Sequence, residues 1–407
     1  MPSNYCSFRK SVPWLILFLE TVFIILFYFL VPHYGYDAFI RNISYTDFQD
    51  VNNMVIFGFG FFLAFLKRYS FSSTGFNLLI IVLGVQCSIL MEGLLFLKDP
   101  NEHDPKIITM AAVSMTAVAI SSGAVLGKTN PLQLIVMTVV EIIIFHVSRW
   151  INKRFLQVQD NISMKHVHLF GAYFGLAVSS RFSEPSPRSE KNASTPKSDL
   201  LSMLGTLFLW VFWPSFNSVL ADRDKTKAIY NTYFALAVSA VTAFTLSVLT
   251  TKDGKFRMIH VHSAALAGGV TVCYTAESID YPWIAMILGL LASVITILGS
   301  FCLKRCLNPA LKIHDTSGVH FTFGLPGLLG AVAQVVLSVI KKWTVLPSLG
   351  YMVMIYIGAF CLTISVALIT GFITGLILNF KLLKIIPVSK YFEDQFYWEF
   401  PHLAVGF

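Results

Sequence analysis

Long apolar runs recur along the whole chain, separated by short polar stretches. At 1.5 Å per helical residue, a run of about 20 residues crosses the ~30 Å hydrocarbon core of a bilayer. Read this way, the pattern predicts twelve membrane helices, at about 12–32, 52–67, 75–97, 107–127, 131–151, 165–182, 199–221, 228–250, 257–275, 282–303, 317–340 and 349–381. Pro13 to Val31 is long enough to span and no small-residue cleavage site follows it, so it reads as the first membrane helix and not as a signal peptide. An even number of spans puts both termini on one side. With the N-terminus inside, about 18 of the 30 Lys and Arg residues fall in cytoplasmic loops, which is the sign the positive-inside rule expects. The predicted fold is therefore an all-α polytopic membrane protein. Residues 1–381 form one transmembrane domain, and 382–407, ending KYFEDQFYWEFPHLAVGF, form a cytoplasmic tail. The tail mixes charge with aromatics; it either folds back on the cytoplasmic loops or docks a partner.

Composition sharpens this picture. Of 407 residues, 55% are hydrophobic and 13% charged, which argues for one polytopic domain embedded in lipid. The net charge of +8 is scattered through short loops, so it reads as a membrane-surface signal and not as nucleic-acid binding. The six cysteines show no CxxC and no zinc spacing, and neither a metal nor a cofactor is expected. Cys302 and Cys306, at a helix end, are candidate palmitoylation sites, with unmodified interfacial thiols the favoured reading. Asn42-Ile43-Ser44 is a candidate N-glycosylation sequon in the first outer loop. The sequon at Asn192 falls in the long polar loop 183–198, which is assigned to the cytoplasm, and the one at Asn161 sits close to a helix start. No nucleophile–base set or phosphate loop is present, so the protein is not expected to be an enzyme.

Candidate chemistry lies in polar groups within the spans. The stretch Asp160 to Leu176, DNISMKHVHLFGAYFGL, puts an acid and two imidazoles, His166 and His168, before Gly171, Ala172 and Gly175. Small residues on neighbouring turns let another helix approach closely. An ionisable group at membrane depth normally faces a cavity or pathway. Glu20 and Glu141 are each read as a buried structural bond or as part of a path, with the structural role favoured. His146 is a weak candidate partner for Glu141. In 209–218, Pro214 frees a backbone carbonyl, and Trp213, Phe216 and Asn217 are either core packing or a constriction. His260 and His262, two apart, point in different directions on a helix and form no obvious metal pair. The eleventh span echoes the sixth: Asp160 precedes His168 by eight residues, and Asp315 precedes Phe323 by eight, followed by glycines. The two copies are offset by five spans, an odd number, so they are inverted repeats, a build that places a transporter site at the repeat interface.

HLFGAYFGL (168–176), FWPSFNS (212–218), LAGGV (266–270) and GAVLGK (123–128) resemble the Rh branch of the ammonium transporter superfamily. LFYF (26–29) agrees with that branch, and NTYFALAVS (231–239) and the tail resemble the Rh blood group polypeptides in particular. The resemblance runs from the first span to Phe407. It implies eleven core helices arranged as inverted five-helix repeats plus an extra N-terminal helix. It also implies a trimer, homomeric or mixed with a Rh-associated glycoprotein, with one narrow path per subunit for ammonia or ammonium. Conducting members line that path with twin histidines, supported by an aspartate and gated by phenylalanines. By position, His168 matches the first histidine, Asp160 the supporting acid and Phe216 one gate.

Two departures follow from the same comparison. The other gate falls near Val113, and the second histidine falls on Phe323, with His320 three residues too early. The resemblance therefore implies a plasma-membrane Rh-type channel for ammonia, weakened at Phe323. The alternative is a non-conducting subunit of an Rh complex, tied to the membrane skeleton by ankyrin through the tail.

Overall fold

The computed structural model describes residues 8, 11–30, 45–95, 106–185, 190–311, 313–341 and 346–400; of 190, 302–311 and 346–348 only the backbone is described. Asn42 lies outside these residues, and so do the side chains of Cys302 and Cys306. The first helix, α1 (Val12–Leu30), exposes most of its side chains, as a lipid-facing helix does. Glu20 accepts from the Gln86 amide at 3.2 Å, a bond that ties α1 to its neighbour.

The second pass is composite: α2 (Tyr45–Asn53), a π-helical turn (Met54–Gly58) and α3 (Phe59–Phe62). It starts several residues earlier than the apolar run suggested, because its first turns, YTDFQDVNN, are polar. Then come α4 (Ser70–Leu95), α5 (Ile107–Ala124) and α6 (Pro131–Phe155). The α6 start is set by sequence: Asn130 and Gln133 form a capping box, with Pro131 at the first helical position. The predicted sixth span is two pieces, α7 (Asp160–Lys165) and α8 (Val167–Ser179), with the break at His166.

The second half runs α9 (Pro196–Val219), α10 (Lys225–Leu249), α11 (Met258–Val272) and α12 (Pro282–Leu311). A second π turn (His320–Gly324) leads into α13 (Leu325–Lys341), and α14 (Leu346–Leu378) closes the bundle. Among the described residues, nine helical segments are long and apolar enough to span a membrane, and α8 and α11 are shorter apolar helices. The composite second pass completes the twelve.

Small residues set the crossings. A side chain at Gly171 would put its Cβ 2.5 Å from the Ala117 carbonyl oxygen, and one at Gly175 would put it 2.6 Å from Ser121 Cα, so α8 lies directly on the α5 backbone. Glu141, fully buried, is hydrogen-bonded by Ser121 on α5. His146 instead turns to α4, with Nε2 3.1 Å from Ser88 Oγ and 3.6 Å from Glu92.

The described part of the tail lies against the bundle. Asp394 accepts the backbone amides of Phe71 and Ser72 at 2.9 and 2.8 Å, a carboxylate placed at the α4 N-terminus. Trp398 donates to Ser72 Oγ at 3.0 Å, and the Phe392 amide donates to the Gly127 carbonyl at 2.9 Å.

Candidate functional site

The π turn and α8 bring the two halves of the sequence echo face to face. The His168 and Phe323 rings lie nearly parallel, 6.5 Å apart at 11°. Trp213 lies nearly parallel to His168, 5.7 Å away at 17°, and Phe216 meets it edge-on at 5.7 Å. All four side chains are sealed from solvent. The imidazole therefore sits in a cage of three aromatic rings, two from α9 and one from the second π turn. Neither His168 nitrogen has a hydrogen-bond partner, and the Trp213 indole nitrogen has none either. The Lys165 carbonyl lies beside the ring without hydrogen-bond geometry. Leaving a buried polar group unpaired costs about 1–3 kcal/mol, so this spot carries polar capacity that the protein itself does not use.

Asp160 stands apart from that cage. It opens α7 and is ion-paired with Arg149 at 2.6 Å. Arg149 is buried and also paired with Glu92, so one guanidinium joins α4, α6 and α7. The acid thus fixes the entry of the helix that bears His168. His166 is turned the other way, with Nδ1 3.1 Å from Thr363 Oγ1 on α14.

The remaining candidates scatter. Asn217 donates to Thr232 Oγ1 and to the Gly269 carbonyl at 3.0 and 3.1 Å, so its amide joins α9 to α10 and α11. Val113 is fully buried in α5. The His320 ring packs against Tyr173 and Phe321, at 5.9 and 5.0 Å. Asp315 accepts the amides of Gly318, Val319 and His320 at 2.9, 3.0 and 2.9 Å, a local cap on the second π turn.

Two rings next to Phe323 escaped the sequence reading. Phe59 and Phe62 lie 5.8 and 6.0 Å from it, and His262 stacks on Phe62 at 3.9 Å and 5°. The signal was present in the aromatic run 57–62 and in the His-x-His spacing, which sends one imidazole inward. His262 is buried and His260 is only half-buried.

Outside the membrane-spanning segments, a buried lysine joins the ends of the two repeats. Lys128 donates to Ser179 Oγ at 2.6 Å and to the His314 carbonyl at 2.5 Å. Burial pushes its ammonium down to about 7, partly opposed by Asp315 and Glu184.

Inverted helical repeats around one caged imidazole define a multi-pass membrane protein of the channel or transporter class. The chain belongs to the family described as Ammonium Transporter Family, whose pattern matches residues 14–397. Within that family it falls in the Rh branch. It is 42% identical over 420 residues to a macaque (Macaca mulatta) "RH-like protein", covering all of both chains. It is also 42% identical over 422 residues to the human (Homo sapiens) "Blood group Rh(CE) polypeptide", again over the full length of both. The structure reported as "Nitrosomonas europaea Rh50 and mechanism of conduction by Rhesus protein family of channels" superposes with a TM-score of 0.76. It is 28% identical, covering 88% of this chain and 93% of that one. Saccharomyces cerevisiae Mep2, at 16% identity and a TM-score of 0.65 (87% and 91% covered), shares the fold.

Proposed function

We propose that this protein is a plasma-membrane Rh-type channel for ammonia, of low flux, with both termini cytoplasmic and residues 382–407 as its cytoplasmic tail. The observation that carries this reading is His168: a buried imidazole with both nitrogens unpaired, held between aromatic rings at the repeat interface. A neutral weak base with donors and an acceptor is the ligand such a group takes, since it replaces the missing hydrogen bonds at no cost in charge. Phe216 and Trp213 shape the passage, Asp160 positions α8 through Arg149, and Phe323 narrows the lumen where conducting relatives are expected to hold a second imidazole. The relatives' Rh character supports a trimer, homomeric or shared with a Rh-associated glycoprotein.

The test is ammonia-driven internal pH change in liposomes. Wild type should exceed protein-free vesicles, and His168→Ala should lower the protein-dependent rate roughly tenfold, the loss of one hydrogen bond to the passing molecule. Wild-type vesicles no faster than empty ones would sink the channel reading.

Phe323 favours a second reading, a non-conducting subunit of an Rh membrane complex tethered through its tail to the skeletal protein ankyrin. A silent wild type with flux restored by Phe323→His would select it. It also requires that the 382–407 tail bind ankyrin in a pull-down.

A further inference from the structure

Two cavities, of about 350 and 290 Å³, open at the end of the bundle near Ser194, Arg257 and Asp315, and they share Arg257, Ile259 and Ser317. The smaller one has His262 in its wall, beside Asp199 and Ser202. From that wall a line of rings runs inward. His262 lies flat on Phe62 at 3.9 Å and 5°. Phe62 meets Phe323 edge-on at 6.0 Å, and Phe323 faces His168. We infer that Phe62 and His262 form a second, inner closure between this cavity and the His168 lumen, with His262 as the residue that holds Phe62 in place. The inference rests on the reading of that lumen as a path.

The two imidazoles are treated oppositely. His168 has no partner, whereas His262 is bonded on both sides: Nε2 to the Phe62 carbonyl at 3.2 Å and Nδ1 to Ser263 Oγ at 3.3 Å. A neutral ring does this by donating Nε2–H to the carbonyl and accepting the hydroxyl at Nδ1. The ring thus covers the Phe62 side chain while bonding the Phe62 carbonyl, which Ser202 Oγ also bonds at 2.9 Å. Phe62 is fully buried and sits against both Phe59 and Phe323. Opening the lumen at Phe323 alone leaves this stacked pair across the inner exit. His262 is a positioning residue here, and Phe62 is the obstruction.

The closure is read directly by the reactivity of Phe323→Cys in the full chain in detergent, using 2-aminoethyl methanethiosulfonate and the mass of the peptide holding position 323. Adding Phe62→Ala should speed labelling roughly tenfold, because it removes the ring held against Phe59 and His262. Adding His262→Ala, which keeps the Phe62 ring and serves if Phe62→Ala does not fold, should give a smaller gain in the same direction. Labelling equally fast with Phe62 and His262 intact overturns the inference, whatever the flux. In liposomes, Phe62→Ala/Phe323→His should pass ammonia faster than Phe323→His alone. Faster labelling without any flux in the double variant keeps the closure and overturns the path reading instead.

Discussion

The stretches Asp160–His168 and Asp315–Phe323 have the same spacing and reach the same point in the bundle, yet they are built differently. In the first, the acid looks outward to another helix: Asp160 holds Arg149, which holds Glu92. In the second, the acid serves its own turn, taking three backbone amides within five residues. The first delivers an imidazole on a regular helix after a break at His166, and the second delivers a phenyl ring on a π turn. An inverted repeat can thus keep its backbone register while the chemistry at the shared centre changes. Register depends on helix packing, whereas the centre depends on one side chain.

The largest effect that would test this contrast is on stability. Arg149→Met leaves Glu92 and Asp160 facing each other's network without a cation, and losing one partner of a buried pair costs about 3–5 kcal/mol. Asp315→Ala removes local caps and a charge near Lys128, and should cost about 1–3 kcal/mol. Thermal unfolding in detergent should rank them in that order; equal losses would mean the two acids play one role. Next is flux. Phe323→His supplies His168 with a ring that can hydrogen-bond, and the ammonia rate should rise above wild type by several-fold, up to roughly tenfold for one recovered hydrogen bond. No rise with the protein folded would place the limiting obstruction elsewhere in the lumen.

Packing asymmetry comes third. Gly171→Ala drives a methyl into the Ala117 backbone, at 2.5 Å from its carbonyl oxygen, and should cost about 1–3 kcal/mol. Gly327→Ala meets the Leu169 side chain first, at 3.2 Å, and should cost less than about 1 kcal/mol. The same melting experiment separates them. A pH-dependent effect concerns Lys128, which ties Ser179 at the end of α8 to the carbonyl just before Asp315. Its folded value near 7 lies below the ordinary 10.5, so between these pH values the unfolded chain holds more protons. Stability should therefore climb as pH rises from about 7 towards 10.5, and Lys128→Met should flatten that slope.

Much of this was legible in the chain. Helix number followed from apolar run length, because lipid forces every backbone amide into an internal bond and leaves few alternatives. Boundaries slipped where polar turns extend a helix, as at Tyr45–Asn53, or where a break such as His166 interrupts an apolar run. The centre was partly legible: the eight-residue spacing marked His168 and Phe323, and the aromatic run around Pro214 marked Trp213 and Phe216. The Phe62–His262 pair was not, since its two residues lie 200 positions apart and meet only through packing.

Sequence alone determined that this chain spans a membrane as inverted helical repeats, that it carries the marks of the Rh branch, and that a phenylalanine stands where the second imidazole of a conducting relative is expected. Those properties are written in run length, spacing and residue type. Only the tertiary structure decided which histidine has both ring nitrogens buried and unpaired. His166, His168, His262 and His320 all lie within the spans, and helical periodicity orients each about its own axis. What each ring meets depends on the neighbouring helix, and that was settled by the close approach of α8 to α5 and by the π turn that swings Phe323 opposite His168.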